Sequence, residues 1–322
     1  MESLLCYLFL TSRVATVSRF LALFVAFIAC SAHAEVRVLT SIKPLQQIAA
    51  AVQDGVGSPD VLLPPGASPH HYALRPSDVR KVGDADLLYW IGPYMENFLP
   101  RVLGARSKPS VAVQSLAGMQ LRHFGEDSHS HDEAGHDDDH DEHDHDHRPG
   151  SLDAHLWLSS VNARVIAAKM AADLAAADPA NAARYQGNLK AFVGRLDALD
   201  ARLKQRVAGI AGKPYFVFHE AFDYFEAAYG LKHAGVFSVA SEVQPGAQHV
   251  AAMRKRLQEV GKTCVFSEPP LRPRLAETLT AGLPVRLAEL DALGGNDPVD
   301  SKGYERLLEK LGGELVGCLE QL

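Results

Sequence analysis

The sequence lacks most of the local signatures of common enzymatic chemistry. There is no GxxxxGK(S/T) phosphate loop, no GxGxxG after the first predicted strand, and no GxSxG nucleophile turn. HEAFD, which starts at His219, is not a metalloprotease HExxH, because Asp223 stands where the second histidine belongs. No basic stripe is present, which argues against a nucleic-acid partner. The apolar run Phe20–Cys30 is shorter than the roughly 20 residues a membrane span needs. Cysteine is scarce, with four in 322 residues and no CxxC unit, which excludes a disulfide-dense scaffold and a cysteine-built zinc site.

The two ends of the cysteine inventory have different expected fates. Arg13 and Arg19 precede the apolar run, and Ala32-His33-Ala34 fits a small-x-small cleavage site. Residues 1–34 therefore read as a cleavable export signal, with a true start that can lie downstream of Met1. The rival reading, lipidation at Cys30, is weakened by Phe27, a poor match to the small aliphatic residue expected three positions earlier. Cleavage leaves only Cys264, in the strand-like TCVF, and Cys318, on the apolar face of a last helix. In an oxidising compartment such a pair predicts one disulfide, the alternative being two buried thiols.

Charge is abundant in one place only. The chain has 39 acidic and 32 basic residues, for a net charge of −7. Eleven of the acidic residues and no basic one fall in 126–147, so the other 300 residues carry 28 acidic against 32 basic, a net +4. The same run holds His129, His131, His136, His140, His143, His145 and His147. Its composition cannot build a packed core and predicts disorder over 124–150. Two readings compete for it: a solvated insertion, or an accessory collector of metal ions.

The rest alternates between strand and helix patterns, which predicts parallel sheets with helices on their faces. Glu35–Ser41 reads as a strand, and Pro44 opens a helix with Leu45, Ile48 and Val52 on one face. DVLLPPG, ADLLYWIG and SVAVQ read as further strands, with Ser77 capping a short helix and another helix near Met95. A helix starts at Ser159 or Ser160. Asp178-Pro179 opens a long helix whose apolar face runs from Tyr185 through Phe192, Leu199 and Leu203 to Val207. At 1.5 Å per residue, about thirty residues span ~45 Å, enough for a stiff spine. Beyond Gly212, YFVF, TCVFSEP and PVRLAEL read as strands of a second unit. The expected organisation is an α/β lobe over 35–177, a spine over 178–211 and a second α/β lobe over 212–322.

In open α/β sheets, ligands bind beyond the carboxyl ends of strands. His70 and His71 follow DVLLPPG, His219 follows YFVF, Asp291 follows VRLAEL, and His155 stands where the chain returns from the acidic run. Each alone is weak: a lone histidine is usually a surface or hydrogen-bonding residue, and Asp291 can simply cap a turn. Together they predict a three-histidine site with a carboxylate or water as fourth partner, a donor set that suits Zn2+. His233 and His249 lack the strand-end placement and read as surface residues. A zinc hydrolase using an open fourth position remains an alternative, behind a non-enzymatic binding role.

Several longer stretches carry a family likeness: LLPPGASPHHYALRPSD, ADLLYWIGPYMENF, DAHLWLS, PYFVFHEAFDYFE, EVQPGAQH, TCVFSEPPLRP and the pair Cys264 and Cys318. With the acidic histidine run they occur in one order across the mature chain. They resemble the zinc-binding periplasmic proteins of ABC uptake systems, the ZnuA type of metal-binding solute-binding proteins. The resemblance implies two Rossmann-like α/β lobes with parallel-rich sheets, joined by one long helix, with the metal in the interlobe cleft. It implies His70 (in His-x-Tyr) rather than His71 as first ligand, then His155 and His219. A histidine at the third position, where manganese-binding relatives carry glutamate, favours zinc. Asp291, His71 or a water would be the fourth ligand, since Pro69 stands where some zinc-binding members have glutamate. It further implies a monomeric periplasmic protein that hands zinc to a membrane permease with its ATPase, the alternative being a scavenger acting without a permease. Such ligands bind as neutral imidazoles, so binding should weaken as pH falls through about 6.5, the free histidine value.

Overall fold

A computed structural model describes residues 35–125, 150–238, 246–269 and 274–322. The expected export signal and the histidines of the acidic run, His129 to His147, lie outside the described residues. The described residues from Val36 onward form one compact unit.

The first half builds a four-stranded sheet. Strand β1 (Val38–Thr40) is buried throughout and leads into α1 (Lys43–Val52), with Pro44 in its first turn. Pro44 lacks only an amide hydrogen that the first turn would leave without an intrahelical acceptor. Leu45, Ile48, Ala49 and Val52 of α1 pack into the core. Then come β2 (Asp60–Val61), α2 (Pro76–Asp84), β3 (Leu87–Trp90), α3 (Pro100–Leu103) and β4 (Ser110–Ala112). The strand order is β2-β1-β3-β4, all parallel, with Val38 opposite Leu87 and Leu39 opposite Asp60. Beyond β3 the chain turns at Gly92, where the buried Glu96 carboxylate accepts the amides of Ile91 and Gly92 at 3.1 and 3.0 Å. Burial pushes that carboxyl up to about 7.

Two helices lead to the second half. Helix α4 (Ser160–Ala177) is capped by the Ser159 hydroxyl, which accepts the Asn162 amide at 3.3 Å. Helix α5 (Ala182–Val207) follows, flanked by 3₁₀ turns at Pro179–Asn181 and Ala208–Ile210. Its 26 residues span about 39 Å. The second sheet then forms: β5 (Tyr215–His219), α6 (Asp223–Tyr229), β6 (Gly235–Ser238), α7 (Ala247–Val260), β7 (Thr263–Ser267), α8 (Arg274–Thr280), β8 (Val285–Glu289) and α9 (Gly303–Leu319). Its order, β6-β5-β7-β8, repeats that of the first sheet strand for strand, again all parallel.

The long helix joins the two lobes because one face serves both. Tyr185, Phe192, Leu196, Leu199, Leu203 and Val207 are buried, and α5 packs against α1, α4 and α9. Gly312 of α9 lies so close to α5 that an added Cβ would fall 2.6 Å from Leu203 Cδ2. Arg195 of α5 hydrogen-bonds Glu305 in α9 and donates to the Ser301 carbonyl at 2.6 Å. The two halves also meet directly: Lys43 Nζ donates to the Gly295 carbonyl at 2.8 Å, Trp157 Nε1 to the Ala292 carbonyl at 2.8 Å, and the Tyr304 hydroxyl to the Trp157 carbonyl at 2.6 Å. Cys264 of β7 and Cys318 of α9 form a disulfide, with their Cα atoms 6.3 Å apart. Among the described residues, no helix is long and apolar enough to cross a membrane.

Local expectations failed in four places. Ser77 does not cap α2; the N-cap is Arg75, and Asp78 Oδ2 accepts its amide at 2.8 Å while Pro76 fills the first turn. The helix expected near Met95 forms further along, as α3 at Pro100–Leu103, because Glu96 holds the segment around Met95 as a turn. Strand β6 and helix α7 were not foreseen: β6 has only four residues, and α7 buries only Met253 and Leu257. The span expected to be disordered, 124–150, includes described residues at both ends. Phe124 is buried, its amide donates to the Ser151 carbonyl at 3.0 Å, and an isolated antiparallel bridge pairs His123 with Leu152.

Candidate metal centre

The two parallel sheets direct their carboxyl ends at one cavity of about 280 Å³. His219 is the last residue of β5, and Glu268 follows the end of β7. These strands are neighbours whose crossovers leave in opposite directions, the switch point at which open α/β sheets bind ligands. His70 reaches the cavity from the loop after β2, which carries Pro64 and Pro65. His155 arrives from the other side, immediately before a 3₁₀ turn at Leu156–Leu158 whose side chains are all buried.

The structure brings His70, His155 and His219 together. All three are buried, at 3 %, 2 % and 3 % exposure. Their ring centroids are 4.9 to 5.4 Å apart, and one donor nitrogen from each lies within 4.8 Å of the others. Nε2 of His70 and Nε2 of His155 are 3.3 Å apart. Tetrahedral zinc with Zn–N bonds of about 2.0–2.1 Å needs ligand nitrogens roughly 3.3 Å apart, so this pair already has the edge length of such a site.

Two carboxylates aim the rings, and neither was anticipated from the sequence. Asp153 Oδ1 takes both the Nδ1 and the backbone amide of His155, at 2.8 and 2.9 Å. Glu268 Oε1 takes His219 Nδ1 at 2.6 Å. A proton held on Nδ1 by a carboxylate leaves Nε2 as the lone-pair donor facing the cleft. Asp153 is fully buried, and burial pushes its carboxyl well above the usual range, partly opposed by the His155 amide. A divalent cation in the cleft would favour its ionised form. The signal for Asp153 was its position two residues before His155; for Glu268 it was the strand end of TCVFSEP.

The other expected donors stand outside the three-histidine group. Asp291 lines the same cavity, but its carboxylate caps the turn after β8: Oδ1 accepts the amides of Leu293 and Gly294 at 3.0 and 2.8 Å, and Oδ2 that of Gly295 at 2.8 Å. His71 is exposed and outside the three-histidine group. His249 is exposed, as expected. His233 is not a plain surface residue: it is half-buried, with Nδ1 2.9 Å from Glu226 Oε2.

Comparison with known proteins agrees with this architecture. Residues 38–318 match the family described as ZnuA, zinc-uptake complex component A, periplasmic. The chain belongs to the ZnuA family. It is 39 % identical over 293 residues to the high-affinity zinc uptake system protein ZnuA of Yersinia pestis, covering 89 % of this chain and 92 % of that one. The ZnuA of Brucella suis is 36 % identical over 307 residues, covering 88 % and 92 %. Among solved structures, a crystal structure of ZnuA superposes with a TM-score of 0.71 at 21 % identity, over 88 % of this chain and 99 % of that one. A zinc-bound ZnuA deletion mutant lacking 138–173 gives 0.71 at 22 % identity, over 88 % and 98 %. At these identities the structural matches speak for the fold: two lobes joined by a long helix.

The carboxylates give this ZnuA-family site a direct test. Asp153→Ala and Glu268→Ala each leave a cleft histidine ring without its anchor, and, if those rings hold the metal, each should weaken zinc binding about 10- to 100-fold. Chelator competition measures this, and unchanged affinity in both variants would remove them from the account.

Proposed function

We propose that this ZnuA-family chain is a periplasmic zinc-capture protein that hands Zn2+ to the permease of an ABC importer. The observation that carries the reading is the buried triad of His70, His155 and His219 with its 3.3 Å Nε2 pair. Three imidazoles make a borderline-soft donor set suited to zinc, and the relatives named above are zinc uptake proteins. The three histidines are the ligands in this reading, and a water is the fourth. Asp291 could coordinate only by disturbing the three amide hydrogen bonds it accepts.

A binding role fits the cavity better than hydrolysis. The two carboxylates nearest the ligand rings, Asp153 and Glu268, are hydrogen-bonded to imidazole Nδ1 atoms rather than placed to activate a water. The protein works as a monomer delivered by its export signal, with the permease and its ATPase as partners. The acidic histidine run is an accessory collector: its composition is that of a segment with no packed core, and fixing such a segment around an ion costs entropy per residue, so its affinity falls below that of a preformed cleft.

Calorimetric zinc titration of the mature protein, beside a form lacking 127–147, tests this. One tight site should survive the deletion. Tight binding that disappears with the run would make the run itself the receptor.

A further inference from the structure

HEAFD is only half used by the cleft. His219 ends β5 facing the three-histidine group, and the next residue, Glu220, belongs to a different recess of about 100 Å³. The local fold explains the split. Successive residues at a strand end point to opposite sides. Glu220 lies in the bend between β5 and α6, and Asp223 is the first residue of α6. Helix α6 then ends at Gly230, whose left-handed φ of 71° turns the chain back. That turn carries His233 to the same recess.

One donor atom from each of Glu220, Asp223 and His233 lies within 4.8 Å of the other two. All three residues are half-buried rather than scattered on an open face. The His233 ring is also held in place. Its Nδ1 sits 2.9 Å from Glu226 Oε2 and 3.8 Å from Asp223 Oδ1. Glu226 is itself buried and fixed by the Tyr215 hydroxyl at 2.6 Å. A histidine held at Nδ1 by a carboxylate is the arrangement found at His155 and His219 in the cleft, and it is the usual support of a metal-ligating ring. Arg122 and Lys232 line the rim and offset part of the negative charge, so the site should bind more weakly than the three-histidine cluster.

We propose that Glu220, Asp223 and His233 form a second divalent-cation site, back to back with the first across the His219–Glu220 peptide. One imidazole with two carboxylates is a harder donor set than three imidazoles, and zinc accepts both. A second ion there needs only a small inward movement, because ligand bonds of about 2.0–2.2 Å require donors closer than 4.8 Å.

The test is equilibrium dialysis of the full mature chain across a range of free zinc, comparing the unsubstituted protein with Asp223→Asn/His233→Gln. Any zinc on the acidic run is common to both and cancels in the difference. The double variant should bind one equivalent fewer in the weak part of the isotherm while keeping the tight equivalent, which also shows that it folds. Superimposable isotherms would overturn the proposal. Crystals of the unsubstituted protein soaked in zinc provide a readout free of substitutions. An anomalous-scattering peak among Glu220, Asp223 and His233 is expected, and a peak at the three-histidine cluster alone would overturn it. Loss of the tight equivalent from the unsubstituted protein would instead count against the cleft site.

Discussion

Replacing His70, His155 and His219 together by alanine should abolish tight zinc binding while leaving the fold intact. The expectation rests on position. The rings meet in a cavity at the sheet ends rather than inside the packed layers, so their removal enlarges a cleft and leaves the strand ladders alone. Loss of a carboxylate that only aims a ring weakens metal binding about 10- to 100-fold. Loss of a ligand should exceed that, and loss of three should leave only shallow binding elsewhere on the chain. Calorimetry with a competing chelator measures the affinity, and circular dichroism melting of the metal-free form checks the fold. A triple variant that keeps a high-affinity site would sink the assignment.

The disulfide should have the second largest effect, on stability. Cys264→Ser/Cys318→Ser releases a constraint between residues 54 apart. In the chain-entropy model a loop of that length is worth about 4 kcal/mol, mostly through the unfolded state. For a domain of this size that corresponds to a fall in Tm of roughly 8 °C. Scanning calorimetry of metal-free protein reads it directly. The serine variant and the reduced parent should melt together, and no change in either would show that the bridge constrains little. A smaller loss of zinc affinity should accompany it, because β7 carries Glu268, the anchor of His219, one residue past its end.

How much of this was legible in the sequence depended on whether the signal was local. Buried parallel strands are continuous apolar runs, so YFVF and TCVF stood out. The apolar spacing from Tyr185 to Val207 likewise marked the long helix, although its first turn is 3₁₀ and the α-helix starts at Ala182. His70, His155 and His219 were visible as strand-end or junction residues, but only the folded chain brings their donor atoms within 4.8 Å of one another. Asp153 and Glu268 were missed because a carboxylate beside a strand end looks like any solvated acid until the imidazole it holds is known. Strand β6 was missed because its pairing with β5 sets it, not its four-residue sequence. His233 was misjudged for a similar reason: its neighbours, Glu220 and Asp223, come from the opposite end of α6.

The two copies of the strand order 2-1-3-4 also bear on when a nascent molecule becomes useful. His70 and His155 are 85 residues apart in sequence, and His219 belongs to the other sheet. Parallel pairing through long crossovers is slow, because loop-closure entropy comes before any compensating contact. On that ground the cleft is expected to form late, and, with the three histidines as the ligands, zinc would recognise only molecules in which both sheets are finished. A ligand present at about a thousandfold its Kd, bound only by the native state, adds about 4 kcal/mol to stability. Loaded molecules would thus outlast empty ones wherever proteases sample transient openings, and the population carrying cargo would be enriched without any further regulation.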